Sequence, residues 1–245
     1  MTSINQPSGR RNFLKTAAVV ASGITGLPLL SSSVVARPLA RGPLPDDLLS
    51  DGLRPFPGGD PFRPFGEDKD LGIIGPREGY SPHIGTLVSM MAFMRSQVLN
   101  STKGMTTEQL DFLLDDKANT IGAMLYHLAA TDAFYHEHTF KGVEWGKFDP
   151  AVQKKFGVAM ELGDEGRKSI KGNNLDFYLN LLNETRESTL AEFRKRDDAW
   201  LMTVDKTWGW NNYCKWFHVC EHEGNHNGQI KLLKSRLPGA KASKE

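Results

Sequence analysis

"TIGAMLYHLAATDAFYHEHTF" spans Thr120 to Phe140. Its apolar residues fall at Ile121, Met124, Leu125 and Leu128, and again at Phe134 and Tyr135, the three/four spacing of one helix face. Asn119 stands in front as the expected N-cap, and the Gly/Pro-punctuated stretch from Gly142 to Pro150 closes the pattern. His127 lies beside the stripe, between Leu125, Leu128 and Ala129. An imidazole turned toward an apolar interior needs partners for its nitrogens or carries a desolvation cost. This segment therefore sets two expectations: a long buried helix, and a reason for a histidine to be on it.

Three further segments carry the same period. Ser81-Pro82 is a helix start, with Ser as N-cap and Pro at the first helical position, followed by Ile84, Leu87, Val88, Met91 and Met94 or Arg95 to about Asn100. A linker with the short turn "TTEQLDFLL" follows, and a minor helix is expected from Ala151 to Leu162. A third long helix runs from about Asn174 to Arg196, with Leu175, Tyr178, Leu179, Leu182, Leu190 and Phe193 on one side. "DDAWLMTVDKTWGWNN" is an aromatic connection with room for a short extended piece, and a fourth long helix runs from about Asn212 to Leu237 until Pro238-Gly239 stops it. Neither β-alternation nor an internal repeat stands out. Four long amphipathic helices in one stretch predict an all-α four-helix bundle over residues 81–238, with a basic tail at 239–245.

The remainder reads differently. Arg10-Arg11 is followed by Phe13, Leu14 and Lys15, then by an apolar run from Thr16 to Leu30 broken by Gly23, Gly26 and Pro28. The run is too short and too broken to span a membrane, and Val34-Val35-Ala36 supplies small residues for cleavage. Residues 1–36 thus read as a signal peptide similar to twin-arginine (Tat) signals, which implies the Tat export machinery as a partner and a periplasmic or other extracytoplasmic location. No Cys follows the run, so no lipid anchor is expected. Residues 37–80 are rich in Pro and Gly and read as an extended leader that Phe56, Phe62 and Phe65 can pin to the domain. With 30 Lys+Arg against 29 Asp+Glu, nothing favours nucleic acid as a partner. Cys214 and Cys220, six residues apart on one helix, lie about 9 Å apart along its axis, too far for a disulfide.

The fourth helix contains "HVCEHEGNHNGQI", His218 to Ile230, with His218, His222 and His226 each four residues apart. That spacing makes a tilted row on one face, where two successive members can close on one metal and three cannot, since the outer pair is about 12 Å apart. The third ligand must come from another helix, and His127 is the candidate. A dinuclear carboxylate site is not expected, because Glu-x-x-His occurs once, at Glu223 to His226. His136 and His138 lie too far beyond His127 to join it and are expected at an exposed helix end, and His83 at the surface. Cys214, one turn before His218, reads as a buried free thiol or an extra soft ligand. His218, Glu221, Glu223 and Gln229 are candidates for contacts around the ligands, and Asp132 is a further general-base candidate. Exposed helix charge is the commoner role for such residues.

Together, "NTIGAMLYHLAATDAF" and the H-x-x-x-H-x-G-Q pattern of the fourth helix resemble the DinB/YfiT-like superfamily, over roughly Ser81 to Leu237. The resemblance implies a DinB-like four-helix bundle holding a divalent metal on three histidines, here His127, His222 and His226, with His218 a neighbour on the same face. Zn, Ni, Fe and Cu all suit such ligands. Relatives include thiol S-transferases and metal-dependent hydrolases acting on small molecules, so metal-bound water or thiolate is the implied reagent. A non-catalytic metal- or ligand-binding module of the envelope is the alternative, and a homodimer remains open.

Overall fold

A computed structural model describes residues 71–241. The signal, most of the leader and the last four residues of the tail lie outside them. Residues 71–80 form turns without helix or strand. Eight helices follow among the described residues: α1 (Pro82–Thr102), α2 (Thr107–Leu110), α3 (Ile121–Phe140), α4 (Pro150–Glu161), α5 (Gly163–Ser169), α6 (Leu175–Phe193), α7 (Asp198–Met202) and α8 (Asn212–Lys234). Val204–Asp205 (β1) pairs antiparallel with Trp210–Asn211 (β2), the short extended piece in the aromatic connection. None of these helices is long and apolar enough to cross a membrane.

The helix starts show where local signals hold and where tertiary partners replace them. Asn174 and Asn211 cap α6 and α8 through their side chains, accepting from Phe177 N and Cys214 N. The cap of α3 is Thr120 rather than Asn119; its Oγ1 accepts from Ala123 N, while Asn119 Oδ1 faces Arg167. Ser81 sits at the α1 N-cap position but makes no cap bond of its own. Its hydroxyl donates to Asp198 of α7, and that carboxylate accepts from His83 N and Ile84 N. A residue 117 positions away thus caps the helix, which no local pattern announces. Helix α5, also unanticipated, follows α4 through Leu162, whose φ of 56° is unusual for a residue with a side chain. Helix α8 stops at Lys234, three residues before the expected Leu237.

The four long helices make the bundle. Helix α1 runs parallel to α8: His83 and Tyr213 meet at their starts, and Lys234 Nζ reaches Ser101 O at their ends. Helix α3 runs parallel to α6, with Gly122 against Tyr178 at the starts and Phe140 against Phe193 at the ends. A Cβ at Gly122 would sit 2.7 Å from the Tyr178 hydroxyl, so this close approach requires glycine. The order is up-down-down-up, and the crossover from α3 to α6 carries α4 and α5 across α3. One apolar cluster lies among α3, α4 and α6; a second, around Trp216, Phe193 and Tyr135, closes the opposite end of the bundle.

Between these clusters lie four buried charges, one from each long helix. Arg95 (α1) donates from Nε and Nη2 to Glu223 Oε1 (α8) at 2.9 and 2.5 Å. Arg186 (α6) donates to Asp132 Oδ2 (α3) at 2.9 Å and to Glu223 Oε1 at 2.7 Å. The spare guanidinium donors go to the carbonyls of Leu182 and Met91. Burial alone would depress Arg186, but Asp132 and Glu223 outweigh it and push its pKa up. Asp132 and Glu223 are therefore not exposed helix charges: they are 0% and 1% exposed and neutralise two arginines. Removing one member strands a buried charge. Arg186→Met is expected to cost about 3–5 kcal/mol of unfolding free energy in urea. By contrast Lys155→Met, which breaks the exposed Lys155–Glu184 pair, should cost no more than about 1 kcal/mol. Equal losses in the two variants would contradict this account of the cluster.

Candidate metal centre

Helix α3 brings His127 and α8 brings His222 and His226 to one point in the interior. His127 Nε2 lies 2.9 Å from His222 Nε2, which lies 3.1 Å from His226 Nε2. The three donor atoms all fall within 4.8 Å of one another, and the side chains are nearly buried. The four-residue spacing on α8 puts His222 and His226 one turn apart on the face that meets α3.

Their outer nitrogens decide which atoms remain free. Helix α4 ends at Glu161, so the Ala159 carbonyl in its last turn has no partner within the helix. It accepts instead from His127 Nδ1, at 2.9 Å. His226 Nδ1 donates to Gln229 Oε1 at 2.9 Å, three residues further along α8. With their protons on Nδ1, His127 and His226 each turn a bare Nε2 lone pair inward. His222 Nε2 lies between them and carries at most one hydrogen, so it can serve one neighbour and not both. Burial, then the neighbouring imidazoles, holds His222 down to about 2 and His226 down to about 4; burial also lowers His127. Protonation therefore does not fill the shortfall. Convergent neutral nitrogens with an unmatched lone pair fit a divalent cation, for which imidazole is a common ligand.

The other candidates separate clearly. His218 lies one turn before His222, with ring centroids 5.4 Å apart, and its Nδ1 is 2.9 Å from the Tyr135 hydroxyl. Burial holds it below its ordinary value. Glu221 accepts from Asn225 Nδ2 near the surface, and Gln229 supports His226 directly. Glu223 and Asp132 belong to the central charge cluster. Both cysteines are free; Cys214 is half-buried and outside the histidine cluster, and burial pushes the Cys220 thiol up to about 12. His83 is exposed. His138 corrects the expectation of an exposed helix end: its side chain is 9% exposed, within 2.8 Å of Val143 O and of Lys215 Nζ, and stacked on Trp208. His136 is half-buried against Phe140. The β1–β2 hairpin creates this enclosure by laying Asp205 and Trp208 over the end of α3.

Residues 86–239 match the mycothiol S-transferase family, a DinB-like family. The chain belongs to this family. The matched region takes in all three histidines and nearly all of the four long helices. No curated protein matches the sequence.

Two features of this mycothiol S-transferase family member escaped the sequence. The Ala159 carbonyl is a backbone atom and leaves no residue-type signal. Arg95 and Arg186 do leave one: each stands four residues from apolar neighbours in a buried row, as Met91-Arg95-Leu99 and Leu182-Arg186-Leu190. Groups that orient metal-binding histidines typically change affinity about 10–100-fold when removed. Gln229→Leu is expected to weaken divalent-metal binding by about that factor in competition titrations with a chromophoric chelator. An unchanged affinity would show that Gln229 does not hold the His226 ring.

Proposed function

We propose that this protein is a metal-dependent thiol S-transferase whose divalent ion is held by His127, His222 and His226. The convergence of three neutral Nε2 atoms, with an unmatched lone pair among them, carries the reading, and membership of the mycothiol S-transferase family gives the reaction class. When bound, such an ion favours the thiolate form of a thiol at neutral pH and leaves further positions open to substrate. The protein's own part is orientation and exclusion of water. Ala159 and Gln229 fix two tautomers, and the burial of all three rings keeps bulk water from them.

His226→Ala is expected to lose most of the bound metal by elemental analysis, and with it the transfer of mycothiol to an electrophile. His83→Ala, an exposed site, should keep both. Wild-type protein that takes up no divalent ion under any loading condition would end the metal reading. Metal-loaded protein that consumes no mycothiol with a range of electrophiles would end the transferase reading; ester and amide substrates would then decide between a hydrolase and a non-catalytic binding module.

The same proposal places the protein outside the cytoplasm. The support is the order Arg10-Arg11, apolar run, small residues at 34–36. Export by a route that carries folded proteins suits a site assembled from two helices about a hundred residues apart, because the metal can be loaded before transport. Changing Arg10 and Arg11 together to Lys should hold the protein in the cytoplasm on cell fractionation; undiminished export would refute the signal.

A further inference from the structure

Helix α8 carries a third histidine, His218, in the row of His222 and His226, and the metal reading leaves it without a task. The His218 ring is 5.4 Å from that of His222 at an interplanar angle of 32°, so it lies directly beside the candidate centre. Its Nδ1 is 2.9 Å from the hydroxyl of Tyr135, a residue with no exposure to solvent. Among the described residues, that hydroxyl has no other hydrogen-bond partner.

These facts fix where the proton on His218 sits. Burial pushes the Tyr135 phenol up, so the group keeps its proton. If His218 Nδ1 carried a hydrogen and donated it, the phenolic hydrogen would be left buried with nothing to accept it, which native interiors avoid. Tyr135 therefore donates to Nδ1, and the imidazole hydrogen is on Nε2. An imidazolium would likewise carry a hydrogen on Nε2. The nearest carboxylate oxygen, Glu221 Oε1, is 3.8 Å from Nε2, beyond hydrogen-bonding distance. The side chain is 13% exposed, so this donor faces an opening. The half-buried Trp210 of β2 is a neighbour, its ring centroid 6.0 Å from that of His218 and tilted 56° to it.

We infer that His218 Nε2–H is the hydrogen-bond donor for a carbonyl oxygen on the acceptor substrate, and that Trp210 makes the site favour a flat, conjugated or aromatic carbonyl compound. The inference deepens the thiol-transferase reading and rests on it for the word acceptor; the binding site itself does not need turnover. A donor with a fixed tautomer selects oxygen, because a carbonyl accepts its hydrogen bond and a methylene does not. The indole ring beside it offers apolar surface to a planar group. Tyr135 is a positioning residue here, acting only through the tautomer of His218.

The test uses the zinc-loaded full-length mature chain and two probes of nearly equal size, acetophenone and ethylbenzene, which differ in the carbonyl. Nitrogen-15 spectra of histidine-labelled protein should show His218 with hydrogen on Nε2 and not on Nδ1. Binding followed at the Trp210 indole N–H should favour acetophenone by about tenfold, the scale of one net hydrogen bond. His218→Phe should abolish that preference, and Tyr135→Phe should reduce it, both with zinc content unchanged. His218→Gln, which restores an N–H donor, should recover part of it and shows that loss in the Phe variant is not misfolding. Equal affinity for the two probes, no binding of either, or hydrogen on Nδ1 alone would overturn the inference. Failure of mycothiol transfer with the preference intact would instead overturn the reaction class and leave the carbonyl site standing.

Discussion

The bundle is organised around the contact of Arg95 and Arg186 with Asp132 and Glu223. Each long helix contributes one charge, and the cluster is neutral only when all four are in register. Arginine makes the arrangement demanding, because its donors lie in a rigid planar fork and each must find an acceptor. Both guanidinium groups do so, through the two carboxylates and the carbonyls of Leu182 and Met91. An interior built this way is not the most stable one available, since well-packed apolar side chains of similar volume often do as well or better. Its effect is to penalise any sliding of one helix along another. A shift by one turn would leave buried charges facing hydrocarbon.

That constraint bears on the histidines. Glu223 directly follows His222 on α8, and Asp132 is five residues beyond His127 on α3. The contact that links α3 and α8 through Arg186 therefore also sets the height at which the imidazoles meet. The third fixed point is the end of α4. Stopping that helix at Glu161, through the unusual backbone of Leu162, leaves the Ala159 carbonyl free to face His127. Register, helix termination and a glutamine one turn along α8 together decide which nitrogen of each ring points inward.

Much of the fold was legible because the long helices obey a period. The apolar rows on α1, α3 and α6 mark their buried faces, and Asn174 marks the start of α6. The histidines were legible for the same reason, since four-residue spacing is a statement about one helix face. What was not legible depended on partners distant in sequence. Asp198 caps α1 from 117 positions away, and Lys215 and Asp205 enclose His138 through a hairpin that no local pattern requires. Helix α8 is the hardest case. It is polar along most of its length yet buries Trp216, Cys220, Glu223, Asn227 and Ile230 on one side and presents His218, His222 and His226 on another. Glu223 and Asp132 read as surface charges because acidic residues usually are. Only the arginines at apolar positions on α1 and α6 reveal that their partners must be buried as well.

The two polar centres differ in a way that matters for chemistry. The charge cluster cancels internally, two positive groups against two negative ones. Among the described residues, the histidine centre has no carboxylate among its nitrogens, and of the two glutamates that flank His222 along the chain, Glu223 is engaged with both arginines and Glu221 accepts from Asn225. Three neutral imidazoles would leave the double positive charge of a divalent ion undiminished by its protein ligands. In a dry interior such a charge is best balanced by an anion that arrives with the substrate. A thiolate answers that description, being singly negative and a good donor to the softer divalent metals. A carboxylate-rich site would already have satisfied its ion and would hold a thiolate less strongly. On this argument a histidine cluster without a carboxylate among the described residues favours an anionic partner for the ion, thiolate or hydroxide, and the choice of sulfur rests on family membership.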